Sequence, residues 1–223
     1  MRMRSLHYIR VWTLLSITRD TPLDLSQTLN SALRRVPAYP IYLIGVAWVA
    51  WLFYLGVTGG LGAEPINALE RRIGLTALQV VVLGLAVTPL RKFTGVSLLK
   101  FRRAIGVTAF FMVLAHLLVW LFLDVQALDR IWADILKRPY ITIGMVGFVL
   151  MLPLAVTSNN LSVRRLGPLW RKLHKLTYAV AILGGVHFVM VAKGFQIEPL
   201  VYLALIAGLL LLRLRIAPRA RRA

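Results

Sequence analysis

Long runs of apolar residues alternate with short charged segments along this chain of 223 residues. A helix needs about 20 mostly apolar residues to cross the roughly 30 Å hydrocarbon layer of a bilayer. Six runs come near that length, and the three shortest need only modest thinning of the bilayer. They cover residues 37–57, 73–90, 104–123, 140–157, 173–193 and 199–214. The pattern therefore predicts an all-α integral membrane protein, a six-helix transmembrane bundle.

The runs divide the chain into three parts and leave no room for a separate soluble domain. We expect a basic N-terminal extension over 1–36, a transmembrane domain over 37–214 and a basic tail over 215–223. The loop 58–70 is rich in glycine and acidic residues. Segment 124–139 has Trp132 and apolar neighbours at the spacing of an interfacial helix. No internal repeat of fixed period is visible.

The net charge of +19 is distributed unevenly between the two sides of the predicted bundle. The segments before span one, between spans two and three, between four and five, and after six, counted with Lys175 and Arg213 at the adjoining span ends, hold 21 of the 27 Lys and Arg residues and two of the eight acids. The alternate segments, counted with Lys193 at the end of span five, hold six of each sign. An excess of Lys and Arg marks the cytoplasmic side, so we predict that both termini are cytoplasmic. The basic runs face anionic membrane lipid in this arrangement, and nucleic acid is not an expected partner.

Several kinds of chemistry are disfavoured by what the predicted spans lack. The chain has no cysteine, which excludes disulfides, iron–sulfur clusters and covalent c-type haem. Every Asp and Glu lies outside the predicted spans, which argues against a Ser-His-Asp arrangement and against a proton or ion transporter. Residues 59–62, Gly-Gly-Leu-Gly, lack the rest of a dinucleotide-binding motif. We expect no catalytic residue.

Two histidines lie inside predicted spans, where an ionisable side chain is costly and usually functional. Counted from the cytoplasmic side, His116 lies about 18 Å along span three and His187 about 21 Å along span five. Both are thus expected at one depth, in the outer half of the bilayer. Two imidazoles so placed can hold one haem iron between them. Hydrogen-bonded packing is the alternative for either histidine alone.

The role of His174 is open on the sequence alone. It precedes His187 by thirteen residues, about 20 Å along a helix and turned to another side. A second haem near the cytoplasmic side is one interpretation, but span three offers Arg102 and Arg103 at that depth. An interfacial histidine in contact with lipid headgroups is the other.

Longer sequence blocks surround or adjoin these residues. They are GLGAEPI (60–66), LAVTPLR (85–91), FRRAIGV (101–107), ILKRPYITIGMVGF (135–148), LAVTSNN (154–160) and RRLGPLWRKLHKLTYAVAILGGVHF (164–188). The blocks resemble the MsrQ family, the haem-binding membrane subunits of a bacterial periplasmic methionine sulfoxide reductase system. The resemblance covers roughly 38–214, and its wider relatives are ferric reductases and NADPH oxidases that share a six-span haem core.

The resemblance implies a ferric reductase-like, b-type cytochrome in the bacterial inner membrane, with one haem b or two and an associated FMN. Electrons would come from the quinone pool or a cytoplasmic flavin reductase and pass to the periplasmic partner MsrP, which repairs methionine sulfoxide. The chain would be an electron-transfer subunit and not the catalytic one. His116, His174 and His187 match the three histidines of the family. Relatives with two haems have a second histidine where this chain has Arg102 or Arg103.

Further expectations concern the outer surface and the competing functions. The outer loops 58–72 and 124–139 are the expected docking surface for the partner. Arg71 and Arg72, at the outer end of span two, either pair with haem propionates or act as interfacial anchors. The alternative functions are a ferric or oxygen reductase with the same haem core, a transporter, and a haem-free scaffold.

Overall fold

The computed structural model describes residues 25–192 and 194–216, so most of the predicted extension and tail, 1–24 and 217–223, lies outside the described residues. All regular structure in the described part is helical. A 3₁₀ turn over Leu99–Phe101 leads into the fourth α-helix, and a π-helical turn over Trp120–Val125 ends it. The α-helices are α1 (Leu25–Arg35), α2 (Tyr39–Val57), α3 (Pro65–Thr94), α4 (Arg102–Val119), α5 (Leu128–Lys137), α6 (Pro139–Val156), α7 (Asn160–Leu166), α8 (Pro168–Leu173), α9 (Leu176–Val191) and α10 (Ile197–Ile216).

Helices that could cross a membrane make up most of this chain. Within the described residues, five helical runs are long and apolar enough, and they correspond to the first five predicted spans. They are Tyr39–Val57, Pro65–Thr94, Leu99–Val125, Pro139–Val156 and Pro168–Val191. The sixth predicted span coincides with α10, which has 20 residues. The protein is therefore an all-helical, multi-pass membrane protein, while crossing by α10 remains a prediction.

Four of these helices, α3, α4, α6 and α9, surround a common core. Ala109 of α4, Met151 of α6 and Val180 of α9 form one buried cluster, against which Val80 and Val81 of α3 pack. The helix α2 lies against α3 and α4, and α10 lies against α3 and α9. The four central helices thus carry both histidines of the predicted pair.

The helix α3 begins eight residues before the predicted second span, at Pro65 in place of position 73. Proline suits the first turn of a helix, since its missing N–H would have no partner there. Hydropathy marks where a helix enters the hydrocarbon layer, and polar residues can extend the helix beyond it. Glu70, Arg71 and Arg72 therefore lie on a helix, and the predicted outer loop 58–72 ends at Glu64.

A proline inside α3 is matched by an arginine on α10. Pro89 has no N–H to donate to the carbonyl of Leu85, four residues earlier. Arg213 supplies the missing donor, since its Nε and Nη2 bond the Leu85 carbonyl and Nη2 also reaches that of Gly84 at 3.2 Å. The guanidinium also lies over the ring of Tyr178, 5.5 Å from its centre. The Arg213 guanidinium is therefore held by backbone carbonyl oxygens of α3, and these hydrogen bonds join α10 to α3.

The helix α1 belongs to the predicted extension but packs on the bundle. The side-chain amide of Asn30 donates to the carbonyl of Gly95 at 2.9 Å and accepts from the N–H of Ser97 at 2.7 Å. Lys100 caps the end of α1 by donating to the carbonyls of Arg34 and Val36. The described end of the extension is therefore a docked element.

Candidate functional site

His116 is held from α3 through its Nδ1 atom, which lies 3.0 Å from the backbone carbonyl oxygen of Glu70. A carbonyl oxygen only accepts hydrogen bonds, so Nδ1 must carry the proton. In the neutral imidazole the lone pair then lies on Nε2. Carbonyl contacts of this kind fix the tautomer and orientation of metal-binding histidines.

His187 has the same arrangement on the other side of the core. Its Nδ1 lies 2.7 Å from the backbone carbonyl oxygen of Tyr140, on α6. The same reasoning places the proton on Nδ1 and the lone pair on Nε2. Each histidine is thus oriented by the helix it packs against, α3 for His116 and α6 for His187.

A glycine one turn after each carbonyl lets the imidazole approach the helix. A Cβ atom on Gly74 would lie 3.0 Å from Cε1 and Nδ1 of His116, and one on Gly144 would lie 3.0 Å from the same atoms of His187. Such distances are tighter than almost all real Cβ contacts. Any larger side chain would therefore push the ring away from its carbonyl. We call each set of carbonyl, glycine and imidazole a histidine cradle.

The two imidazoles meet across the core, as their predicted common depth requires. Their ring centres are 6.3 Å apart and their planes are at 81°. An imidazole nitrogen lies about 2 Å from a transition metal that it binds, and about 1.1 Å from its own ring centre. Two rings on opposite sides of one metal therefore have centres roughly 6.2 Å apart by the same bond length. The observed separation fits two Nε2 atoms sharing one iron.

The remaining ligands of such an iron do not come from the side chains of this site. Among the residues that the structure describes, no group of three or more His, Asp or Glu side chains could hold a metal ion. Two axial imidazoles are, however, sufficient for an iron whose other four ligands belong to a porphyrin. The donor set fits haem and does not fit zinc.

Four contributors to the cradles were not identified from the sequence: the carbonyls of Glu70 and Tyr140, and Gly74 and Gly144. Any residue can offer a carbonyl, so Glu70 and Tyr140 carry no side-chain signal. The two glycines follow these carbonyls by four residues, a spacing that is informative only when the facing histidine is known.

His174 lies at the other end of the bundle, in the turn between α8 and α9. Thr157 donates its single hydroxyl proton to the carbonyl of Pro153 at 2.6 Å, so it accepts from His174 Nε2 at 3.1 Å. The imidazole stacks on Trp170 with ring centres 3.9 Å apart, and the Trp170 indole also donates to the Thr157 carbonyl. Here the proton lies on Nε2, the atom that carries the lone pair in the other two histidines.

The two arginines proposed as propionate partners are exposed on the first turns of α3. At about 100° per residue, Arg71 lies roughly 60° around the helix from Gly74, and Arg72 roughly 160°. Arg71 is therefore on the side of α3 that borders His116, and Arg72 is turned away from it.

Comparison with known proteins identifies the family of this chain. The family described as "Ferric reductase like transmembrane component" matches residues 72–185, which include His116, His174 and both cradle glycines; His187 lies two residues beyond. "Protein-methionine-sulfoxide reductase heme-binding subunit MsrQ" of Brucella anthropi is 45% identical over 183 residues, which are 81% of this chain and 82% of that protein. The chain belongs to the MsrQ family.

Other members of the MsrQ family give the same result. The proteins of that name from Brucella ovis and Brucella melitensis biotype 2 are each 47% identical over 175 residues, which are 78% of this chain and 80% of the relative. No solved structure matches the chain.

Proposed function

We propose that this chain is a b-type cytochrome of the bacterial inner membrane that delivers electrons to the periplasmic reductase MsrP. The electrons come from the quinone pool or from a cytoplasmic flavin reductase, and they serve the repair of methionine sulfoxide in periplasmic proteins. The Brucella relatives are named heme-binding subunits of a protein-methionine-sulfoxide reductase, which supports this function. The chain acts as the electron-transfer subunit.

The observation that carries the proposal is the pair of cradled imidazoles. His116 and His187 each keep the Nε2 lone pair free of the carbonyl that holds Nδ1, and their ring centres are 6.3 Å apart. These two imidazoles would hold one haem b, which would supply a one-electron carrier within the hydrocarbon layer. The chain's own residues hold the imidazoles in one tautomer and orientation, and the apolar core around Ala109 and Val180 excludes water.

The direction of transfer follows from the proposed orientation. Both termini are cytoplasmic, α10 is the sixth span, and the segments rich in Lys and Arg face the cytoplasm. The histidine cradles then lie in the outer half of the bilayer, near the surface formed by 58–64 and α5. An electron leaving this site therefore reaches a protein docked on the periplasmic side.

The other site residues have subordinate roles in this proposal. Arg71 is the better placed of the two arginines to pair with a propionate, and Arg72 serves as an interfacial anchor. His174 remains a candidate second or alternate haem ligand; while its Nε2 donates to Thr157, the lone pair that could bind iron lies on Nδ1. FMN is implied by the family resemblance alone, and we assign it no residues.

The first test is an absorption spectrum and haem stoichiometry of the purified protein. A Soret band with about one haem per chain, held non-covalently, is expected from two axial histidines. A preparation from haem-replete cells without a Soret band would leave the haem-free scaffold as the better description. A second titrating haem would assign His174 a ligand role.

The second test addresses the recipient of the electrons. Purified MsrP, added with methionine sulfoxide to the reduced protein, should reoxidise it faster than buffer does. A ferric or oxygen reductase is the competing function, favoured by the family match over 72–185. Reoxidation by ferric chelates or oxygen, with no acceleration by MsrP, would select that function.

A further inference from the structure

A polar contact joins α3 and α10 in the middle of the proposed membrane region. The Gln79 side-chain amide donates to the Tyr202 hydroxyl at 2.7 Å. Gln79 is the fifteenth of the 30 residues of α3, and it is exposed on the outside of the bundle. Its neighbours on that surface are apolar, with Leu83 48%, Val201 56% and Leu205 45% exposed. A polar pair therefore faces hydrocarbon at the centre of the helix.

This hydrogen bond uses only part of what the two side chains can offer. Gln79 keeps one amide N–H and its Oε1 acceptor, and Tyr202 keeps its O–H donor. Among the described residues, neither side chain has another polar partner. An unmet polar group is strongly disfavoured in a medium without water. The pair thus presents two free donors, one on each side chain, and the Oε1 acceptor of Gln79 to a ligand dissolved in the membrane.

The position of the pair connects it with the proposed haem site. Phe188 follows His187 directly in α9, and its ring lies 5.9 Å from that of Tyr202 at an angle of 62°. Along α3, Gln79 lies about 7.5 Å from Gly74 of the cradle. A flat ring at the pair would therefore lie beside the aromatic residue that adjoins a proposed axial ligand.

We propose that Gln79 and Tyr202 bind the head group of a membrane quinone or quinol. The oxidised ring accepts from the Tyr202 O–H, and the reduced ring donates its O–H to Gln79 Oε1, while Phe188 packs against the ring. The polar groups of phospholipids lie at the bilayer surfaces, whereas a quinone ring can reach the midplane, so depth favours the quinone. This is the site at which electrons from the quinone pool enter the protein, and it rests on the proposed function.

A photolabelling experiment tests this site. The full-length protein in quinone-free phosphatidylcholine nanodiscs is illuminated with an azido-benzoquinone that carries a decyl tail, and labelled peptides are identified by mass spectrometry. Label is expected on α3, α9 or α10 near the pair, and excess decyl-benzoquinone should compete for it. Gln79→Leu and Tyr202→Phe should each lower the competed labelling by about tenfold, because each removes a hydrogen bond in an apolar medium.

Thr76→Val is the matched control, since it breaks another interhelical bond of α3, Trp48 Nε1 to Thr76 Oγ1 at 3.1 Å, without touching the pair. It should keep the wild-type labelling. Tyr202→Phe retains the ring and tests the site even if Gln79→Leu misfolds. Label that excess quinone does not compete for, or equal competed label in Tyr202→Phe and wild type, would overturn the site. An unchanged Soret band in the variants separates this outcome from a failure of the haem proposal.

Discussion

The imidazoles of His116 and His187 differ from that of His174 in the ring nitrogen that is left free. In the first two, a backbone carbonyl accepts a hydrogen bond from Nδ1–H, which leaves the Nε2 lone pair for a metal. In His174, the Thr157 hydroxyl oxygen accepts a hydrogen bond from Nε2–H. The hydrogen bonds therefore distinguish His174, which is protonated on Nε2, from His116 and His187, which are protonated on Nδ1.

Replacing either cradled histidine should remove the haem. His116→Ala and His187→Ala are each expected to lower haem content at least about tenfold, because one axial bond and its orienting contacts are lost. The measurement is the Soret absorbance per protein after purification. His174→Ala is the matched variant and should retain that band. Wild-type haem content in either cradle variant would refute the ligand pair.

Gly74 and Gly144 should influence the midpoint potential of the haem iron, because they set the position of the imidazoles. In Gly74→Ala or Gly144→Ala the new Cβ displaces the ring and weakens its Nδ1 hydrogen bond. A weaker bond makes the imidazole a poorer donor to ferric iron, so the midpoint potential should rise, by on the order of tens of millivolts. Redox titration followed by absorbance measures the change.

Gly106→Ala is the control for these variants, since no atom outside its own turn lies within 4 Å of the added Cβ. It should leave the potential where it is in the wild type. A potential that stays unchanged in both cradle variants would show that the glycines have no influence on the ligands.

For single residues, the sequence predicts the two histidine ligands but not the carbonyls and glycines that hold them. His116 and His187 stand out because ionisable residues are rare within apolar runs. The acceptor of each Nδ1 proton is a main-chain atom, which no residue type identifies. Gly74 and Gly144 are two of 16 glycines, and only the three-dimensional contact distinguishes them.

At the scale of elements, the contact of Arg213 with α3 compensates for the proline within that helix. The carbonyl of Leu85 loses its helical donor to Pro89 and gains the guanidinium of Arg213 in its place. These hydrogen bonds join the last turns of α10 to α3. The contribution of Arg213 to the free energy of unfolding should therefore depend on whether position 89 is proline.

A double-mutant cycle tests that dependence. Arg213→Leu should lower the free energy of unfolding by about 1–3 kcal/mol, as expected for a lost hydrogen bond to a charged group. In a Pro89→Ala background the cost should be smaller by about 1 kcal/mol, because the new N–H serves the Leu85 carbonyl. Denaturant titration in mixed micelles measures each variant. Equal costs in both backgrounds would mean that Arg213 does not compensate for the proline.

The exposed Arg91 provides a control for loss of charge near the same end of α3. Arg91→Leu should change the free energy of unfolding by less than about 0.5 kcal/mol, as for most surface substitutions.

The positions of the helices were largely predictable from the sequence, but their first and last residues were not. The predicted span 37–57 differs from α2 by two residues at one end, because hydropathy and helix coincide there. The start of α3 was missed by eight residues, since Glu70, Arg71 and Arg72 continue the helix beyond the apolar run. A helix is present within 124–139 as α5, with Trp132 66% exposed, and its position at the membrane interface stays a prediction. The docking of α1 depends on Asn30 meeting a loop 65 residues away, which local patterns do not encode.

At the scale of the whole molecule, the orientation in the membrane rests on charge alone. The absence of cysteine makes it open to direct measurement, because any introduced thiol is unique. We expect Ala63→Cys, in the loop before α3, to react with an impermeant maleimide in intact spheroplasts. Ser162→Cys, in α7, and Ala223→Cys, at the C-terminus, should react only after the membrane is opened.

These three positions also decide the number of spans. Residues 63 and 223 lie on opposite sides only if an odd number of crossings separates them, which requires α10 to cross in addition to the four spans between. Labelling of Ala223→Cys from outside would leave five spans. Labelling of Ser162→Cys from outside would reverse the predicted orientation.

The two histidine cradles give the molecule an internal symmetry that the amino-acid pattern does not reveal. The carbonyl of Glu70 and the imidazole that it orients are 46 residues apart, and those of Tyr140 and its imidazole are 47 apart. Each cradle is built on an antiparallel pair, α3 with α4 and α6 with α9, and both pairs begin at the same end of the bundle. The same three-part contact is thus made twice, once in each helix pair. Only a main-chain oxygen, a glycine and a histidine have to recur, so this repetition leaves almost no trace in the sequence.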